Sequence, residues 1–148
     1  MTFSDLLLMA QAIASGAMCG VIWFVQVVHY PLFARADGPA SAGYAVENQN
    51  RTGRVVIPFM LVEGLAAAAI AWRPPQGVPR AIAIAGVALV AVLWLSTALV
   101  QMPLHAKLAA EGHAPAVVAR LVRSNWLRTA LWSARAALSV WMLRAVNG

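Results

Sequence analysis

Across 148 residues, 61% of the side chains are hydrophobic and 11% are charged, and 11 Lys and Arg face 5 Asp and Glu. A composition this apolar, with a mean hydropathy of +0.73, excludes an ordinary water-soluble domain, because a soluble core of this size could not hide so much surface. The net charge of +6 has no polar domain to stand on, which excludes nucleic acid as a partner and leaves the charge to report membrane topology.

The first apolar run extends from Leu6 to Phe33, broken only by Gln11, Gln26 and His29, and exceeds the roughly 20 residues that cross a bilayer. Arg35, the first cation, follows the run, so it predicts an uncleaved helix over 5–33 rather than a signal peptide. Ser15, Gly16, Cys19 and Gly20 give this helix a small-residue face suited to close packing, with Cys19 a small apolar packer. A second helix is expected over 52–73, and Pro74, Pro75, Gly77 and Pro79 make a tight turn into a third over 80–107. A fourth is expected over 115–146, apolar from Asn125 to Leu143, its opening stretch Pro115 to Arg123 lying amphipathically at the interface. Segments 34–51 and 108–123 read as longer, charged loops on one side, the loop side, with His113 exposed in the second.

An internal repeat organises these runs. Val28-His29-Tyr30-Pro31-Leu32-Phe33-Ala34-Arg35 is echoed by Val100-Gln101-Met102-Pro103-Leu104-His105-Ala106-Lys107, and the pattern Asn-x-x-Arg-Thr recurs at Asn48 to Thr52 and at Asn125 to Thr129. The expected fold is therefore all-α: one integral membrane four-helix bundle over 1–148, built from two repeated helical hairpins related by a pseudo-twofold axis along the membrane normal. Pro31 and Pro103 hold matching places, where helix termination is the first reading and carbonyls freed beside His29 and Gln101 are the second.

Polar groups are costly in hydrocarbon and mark where function should lie. Gln26 and His29 share one face of the first helix; Thr97, Gln101 and His105 share one face of the third; Asn125, Arg128, Trp132 and Arg135 form a stripe on the fourth. Glu63 and Arg135 fall at similar depth, so an ion pair is expected between them, either fixing the packing of helices two and four or joining a ligand or proton-handling site. His29 and His105 are expected to converge across the axis and line one loop-side cavity. They would hold iron, copper or zinc with Glu63 as a third ligand, hold a haem, or merely hydrogen-bond to Gln101, Tyr30 or a backbone carbonyl. Chemistry without any cofactor stays open beside these.

The small-residue first helix, Pro103-Leu104-His105-Ala106-Lys107-Leu108 closing the third, and Asn125-Trp126-Leu127-Arg128-Thr129 opening the fourth resemble a small four-helix membrane family. That family includes fungal anthrone oxygenases and many uncharacterised bacterial proteins; it commonly carries Asn where this chain has His105. The resemblance implies oxidation of an aromatic or quinol-like compound dissolved in a bacterial inner membrane. In an oxidoreductase or oxygenase, His29, His105, Glu63 and Arg128 would be catalytic, Arg128 or Arg135 would stabilise a phenolate-like anion, and Gln101, Asn125, Trp132 and Arg135 would bind cofactor or substrate. The alternative is a non-catalytic membrane protein that binds or transports a ligand, metal or haem. Expected partners are membrane lipid, a lipophilic small molecule and a second copy of the chain, and the cation count places loops 34–51 and 108–123 in the cytoplasm.

Overall fold

The computed structural model describes residues 2–36 and 38–147. Four long helices make up the chain: α1 over Phe3–Phe33, α2 over Ser41–Trp72, α3 over Arg80–Glu111 and α4 over Pro115–Asn147. Thr2 opens α1 with a capping box, its hydroxyl accepting from the Asp5 amide (3.2 Å) while the Asp5 carboxylate accepts from the Thr2 amide (2.6 Å). The turn after α2 needs a glycine: Gly77 has φ 86°, and a Cβ there would stand 2.4 Å from the Ala145 carbonyl oxygen.

The sequence boundaries hold within a few residues except on the loop side. There α2 begins at Ser41 instead of 52 and α3 runs to Glu111, because hydropathy finds only the apolar part of a helix and both helices continue as polar extensions. The two expected loops shrink to 34–40 and 112–114, and Gly112, with φ 77°, turns the chain from α3 into α4. His113 is half-buried, its amide donating to Ser41 Oγ at 2.9 Å. Pro115 to Arg123 is the first stretch of α4, and its Val118 and Leu121 are buried with Tyr30, Phe33, Ala45, Leu104 and Leu108.

Neither proline ends a helix. α1 passes through a π turn at Val25–His29 and α3 through one at Thr97–Gln101. The amides of Tyr30 and Met102 each reach back five residues, to the Val25 and Thr97 carbonyls, just before Pro31 and Pro103. One extra residue in the turn moves away the carbonyl that the proline ring would strike, and the helix goes on.

Helix α1 packs against α2 and α4, and α3 packs against the same two, so α1 faces α3 across the bundle and α2 faces α4. Three of the four, α1, α2 and α3, are long and apolar enough to cross a membrane. The sequence reading counted α4 as well; its five arginines at 120, 123, 128, 135 and 144 leave it short of that measure. Polarity is inverted relative to a soluble protein. Leu65, Leu99 and Trp72 are 73%, 70% and 79% exposed, while Gln11, Glu63, Asn125 and Arg135 are wholly buried.

Candidate functional site

The buried polar residues form two layers separated by an apolar one. The deeper layer spans α1, α2 and α4. Arg135 Nη2 donates to Gln11 Oε1 (2.6 Å) and Nη1 to Ser139 Oγ (3.2 Å), while Ser15 Oγ donates to Glu63 Oε1 (2.5 Å). Arg135 Nε lies 3.2 Å from Glu63 Oε1 without aiming its hydrogen there, so charge holds the pair and the other nitrogens make the hydrogen bonds. Ser139 Oγ donates to the Arg135 carbonyl (2.8 Å) and stands 3.0 Å from Ser15 Oγ. The ion pair expected from helical depth therefore forms, inside a network whose remaining members, Gln11, Ser15 and Ser139, sequence reasoning passed over. The signal was available: Gln11 and Ser15, and Arg135 and Ser139, are each four residues apart on one helical face.

Met18, Ile22, Leu93 and Trp132 fill the next layer. Trp132 is wholly buried there and does not line the cavity above it. It therefore does not meet the expectation that it binds cofactor or substrate in this cavity: its position on α4 points the indole between helices, where it fills volume.

On the loop side of that layer all four helices wall a cavity of about 750 Å³, the size of sites that hold drug-sized molecules. Its polar lining comprises Tyr30, Thr97, Gln101, His105 and Arg128 together with Gln49, Asn50, Thr52 and Arg54 of α2, and the rest is mainly apolar side chains such as Val25, Val56, Ile57 and Met60. Both π turns contribute, Val25 from the first and Thr97, Ala98 and Gln101 from the second. Tyr30 Oη lies 3.2 Å from His105 Nε2, a contact between α1 and α3 across the bundle. Arg128 Nη1 donates to Asn125 Oδ1 (2.9 Å), and Asn125 Nδ2 donates to Gln26 Oε1 (2.8 Å). Gln101 Nε2 donates to Ser124 Oγ (3.0 Å).

Three buried polar atoms of this lining have no hydrogen-bond partner among the described residues: Arg128 Nε, Gln101 Oε1 and His105 Nδ1. Among the described residues Arg128 also has no carboxylate: Glu63 is with Arg135, Glu47 with Arg51, Glu111 with Lys107, and Asp5 with Thr2. A guanidinium only 8% exposed, with the Tyr30 hydroxyl beside it and no described acid against it, is a buried positive charge that an anion would offset.

Several expected site residues do not meet. His29 is absent from the cavity lining; its ring packs against Phe33 (centroids 5.9 Å apart) and lies beside the Asn48 side chain. The π turn shifts the helical phase there, so that Gln26 and Tyr30 face inward and His29 is left at the flank. Glu63 belongs to the deeper layer. The structure thus does not bring His29, His105 and Glu63 together at one point, and no three His, Cys, Asp or Glu side chains among the described residues are arranged to hold a metal ion. Arg135 and Asn125 likewise stand outside the cavity lining, the first in the deeper layer and the second behind Arg128. Neither Gln26 nor Gln101 orients a histidine, since each is used by α4.

Compared with known protein families, with curated proteins and with solved structures, the chain matches none.

Proposed function

We propose that this is an integral membrane protein whose loop-side cavity binds a lipophilic aromatic or quinol-like compound, with the ionised or ionisable oxygen of its head group against Arg128. The observation that carries the reading is Arg128 itself, buried, with no carboxylate against it among the described residues, and lining a mainly apolar cavity. A buried cation is costly unless an anion accompanies it, and a phenolate provides one while the rest of the molecule occupies the apolar flanks. Gln101 Oε1 is free to accept a hydrogen bond from a second hydroxyl of such a head group. All of α1–α4 are taken to cross the bilayer, with the arginines of α4 tolerated because Arg128 and Arg135 turn into the bundle.

The second reading makes the site an oxidoreductase or oxygenase, and the Tyr30–His105 pair favours it. A neutral His105 accepts a proton through Nε2 or Nδ1, so a phenolic hydroxyl placed at Arg128 could lose its proton to this pair while the guanidinium stabilises the resulting anion. Oxidising that anion further requires an electron acceptor such as dioxygen or a quinone. The residues lining the cavity provide one imidazole and no carboxylate, a donor set too sparse for a bound transition metal or haem, so no step is drawn through either.

The test is binding of a decyl-substituted hydroquinone to the protein in lipid nanodiscs, with dioxygen consumption followed in parallel. Arg128→Gln should weaken binding about tenfold or more, and Arg128→Lys less, as for loss of a charged hydrogen-bonding partner. Equal binding by the parent and Arg128→Gln would sink the reading. Catalysed oxidation by the parent that disappears in His105→Phe with binding retained would establish the enzyme over the binder.

A further inference from the structure

The two helices that bound the cavity on one side do not close over it. α2 packs on α3 along Arg80–Ser96 and again along Met102–Glu111, but makes no close backbone approach to the π turn Thr97–Gln101 between them. Ile57 and Pro58 of α2 and Trp94, Ala98 and Met102 of α3 line the cavity and are at the same time exposed on the outer, apolar surface of the bundle. One set of side chains serving both faces means that the cavity opens sideways there. The opening has a fixed lower edge. Trp94 sits in a notch made by Gly64, where an added Cβ would meet the indole at 2.7 Å, so the ring is held between α2 and α3 beneath the gap.

We infer that the gap between α2 and α3, framed by Ile57, Pro58, Trp94, Ala98 and Met102, is a lateral portal through which the ligand enters from the bilayer, and that the ligand is a phenol or quinol bearing an alkyl or prenyl chain. This rests on the head-group site proposed above and adds the tail. Arg128 and Gln101 hold the polar head at the inner end; the chain leaves along the apolar flank and emerges between the helices into lipid. A ligand wholly enclosed by protein would need a sealed wall, whereas a tailed one is accommodated by an opening between Ile57 and Pro58 on one edge and Trp94, Ala98 and Met102 on the other, with Asn50 and Arg54 lining the α2 side nearer the loop end. Such a compound partitions into the membrane and need never cross water to reach the site. The gap coincides with the π turn of α3, the stretch of that helix that makes no close backbone approach to α2.

The experiment uses the full chain in nanodiscs and two probes with the same head: a hydroquinone whose decyl chain carries bromine near its end, and hydroquinone without a chain. Bromine quenches nearby indoles, so the tailed probe should quench a fluorescence component that is missing in Trp94→Phe, and this quenching should vanish in Arg128→Gln. Ala98→Phe, a substitution at an exposed position that fills the gap, should slow association of the tailed probe by about tenfold or more and that of the tail-less probe far less. Met102→Ala, which widens the gap, should speed it. Arg128-dependent binding without Trp94 quenching and without an effect of Ala98→Phe overturns the portal and leaves the head-group site standing. Quenching of Trp94 by a brominated phospholipid that the tailed probe does not displace shows the gap filled by ordinary lipid chains and overturns the portal as well. Binding of neither probe overturns the head-group site and the portal with it.

Discussion

At the scale of single residues, the two buried arginines divide the work between stability and recognition. Arg135 is surrounded: Gln11, Ser139 and Glu63 take its nitrogens, and Glu63 is held in turn by Ser15. Removing one charge from such a pair strands the other, so Glu63→Gln should destabilise the bundle by about 3–5 kcal/mol, whereas Glu63→Gln together with Arg135→Met should recover most of the loss. Equilibrium unfolding in detergent reads both, and a single variant as stable as the parent would detach Glu63 from any structural role. The guanidinium also depends on Gly86, where an added Cβ would lie 3.3 Å from Arg135 Nη1 and 3.3 Å from Met142 Cε. Gly86→Ala should therefore cost about 1–3 kcal/mol through crowding, measured in the same unfolding assay. Arg128 has no equivalent surroundings, which is why its substitution should register in binding more than in stability.

At the scale of elements, the prolines carry the lesson about what a sequence discloses. Four helices, the tight turn at Pro74–Pro79 and the Glu63–Arg135 pair follow from hydropathy, turn residues and helical rise, and each is present. The separation of His29 from the cavity was not deducible, because a phase calculated at 3.6 residues per turn fails across a π turn. That phase brought His29 inward; the extra residue in Val25–His29 accompanies Gln26 and Tyr30 inward instead. Matching prolines were visible, yet their effect depends on whether packing makes it cheaper to end a helix or to widen one turn, and packing against α2 and α4 carries α3 on to Glu111. Pro103→Ala tests this directly. It supplies an amide that can bond to the Leu99 carbonyl, so exchange of the amides of 97–105 should slow, and the regularised helix should narrow the gap to α2 and reduce binding of the tailed probe. Unchanged exchange would mean that the π turn is imposed by the neighbouring helices and not by the proline.

At the scale of the whole molecule, the arrangement of charge follows once the buried arginines are set aside. Arg128 and Arg135 point into the bundle and carry no information about sidedness. The other basic residues are exposed: Arg35, Arg51, Arg54, Lys107, Arg120 and Arg123 toward the loop end, and Arg73, Arg80 and Arg144 toward the end where the termini meet the α2–α3 turn. Six against three keeps the bias toward the loop end after Arg128 is removed from it. Cations near short loops are retained on the cytoplasmic side, so the loop end, with the head-group site just inside it, is expected to face the cytoplasm. Single cysteines introduced at the exposed positions Pro39, Glu111 and Gln76, in a Cys19→Ser background, make this measurable. In sealed right-side-out vesicles a membrane-impermeant maleimide should label Gln76→Cys and spare Pro39→Cys and Glu111→Cys until the membrane is permeabilised. The reverse pattern would invert the protein. Labelling of Gln76→Cys together with Pro39→Cys would mean that α2 does not cross, and together with Glu111→Cys that α3 does not, since one helix separates Gln76 from each loop-end position.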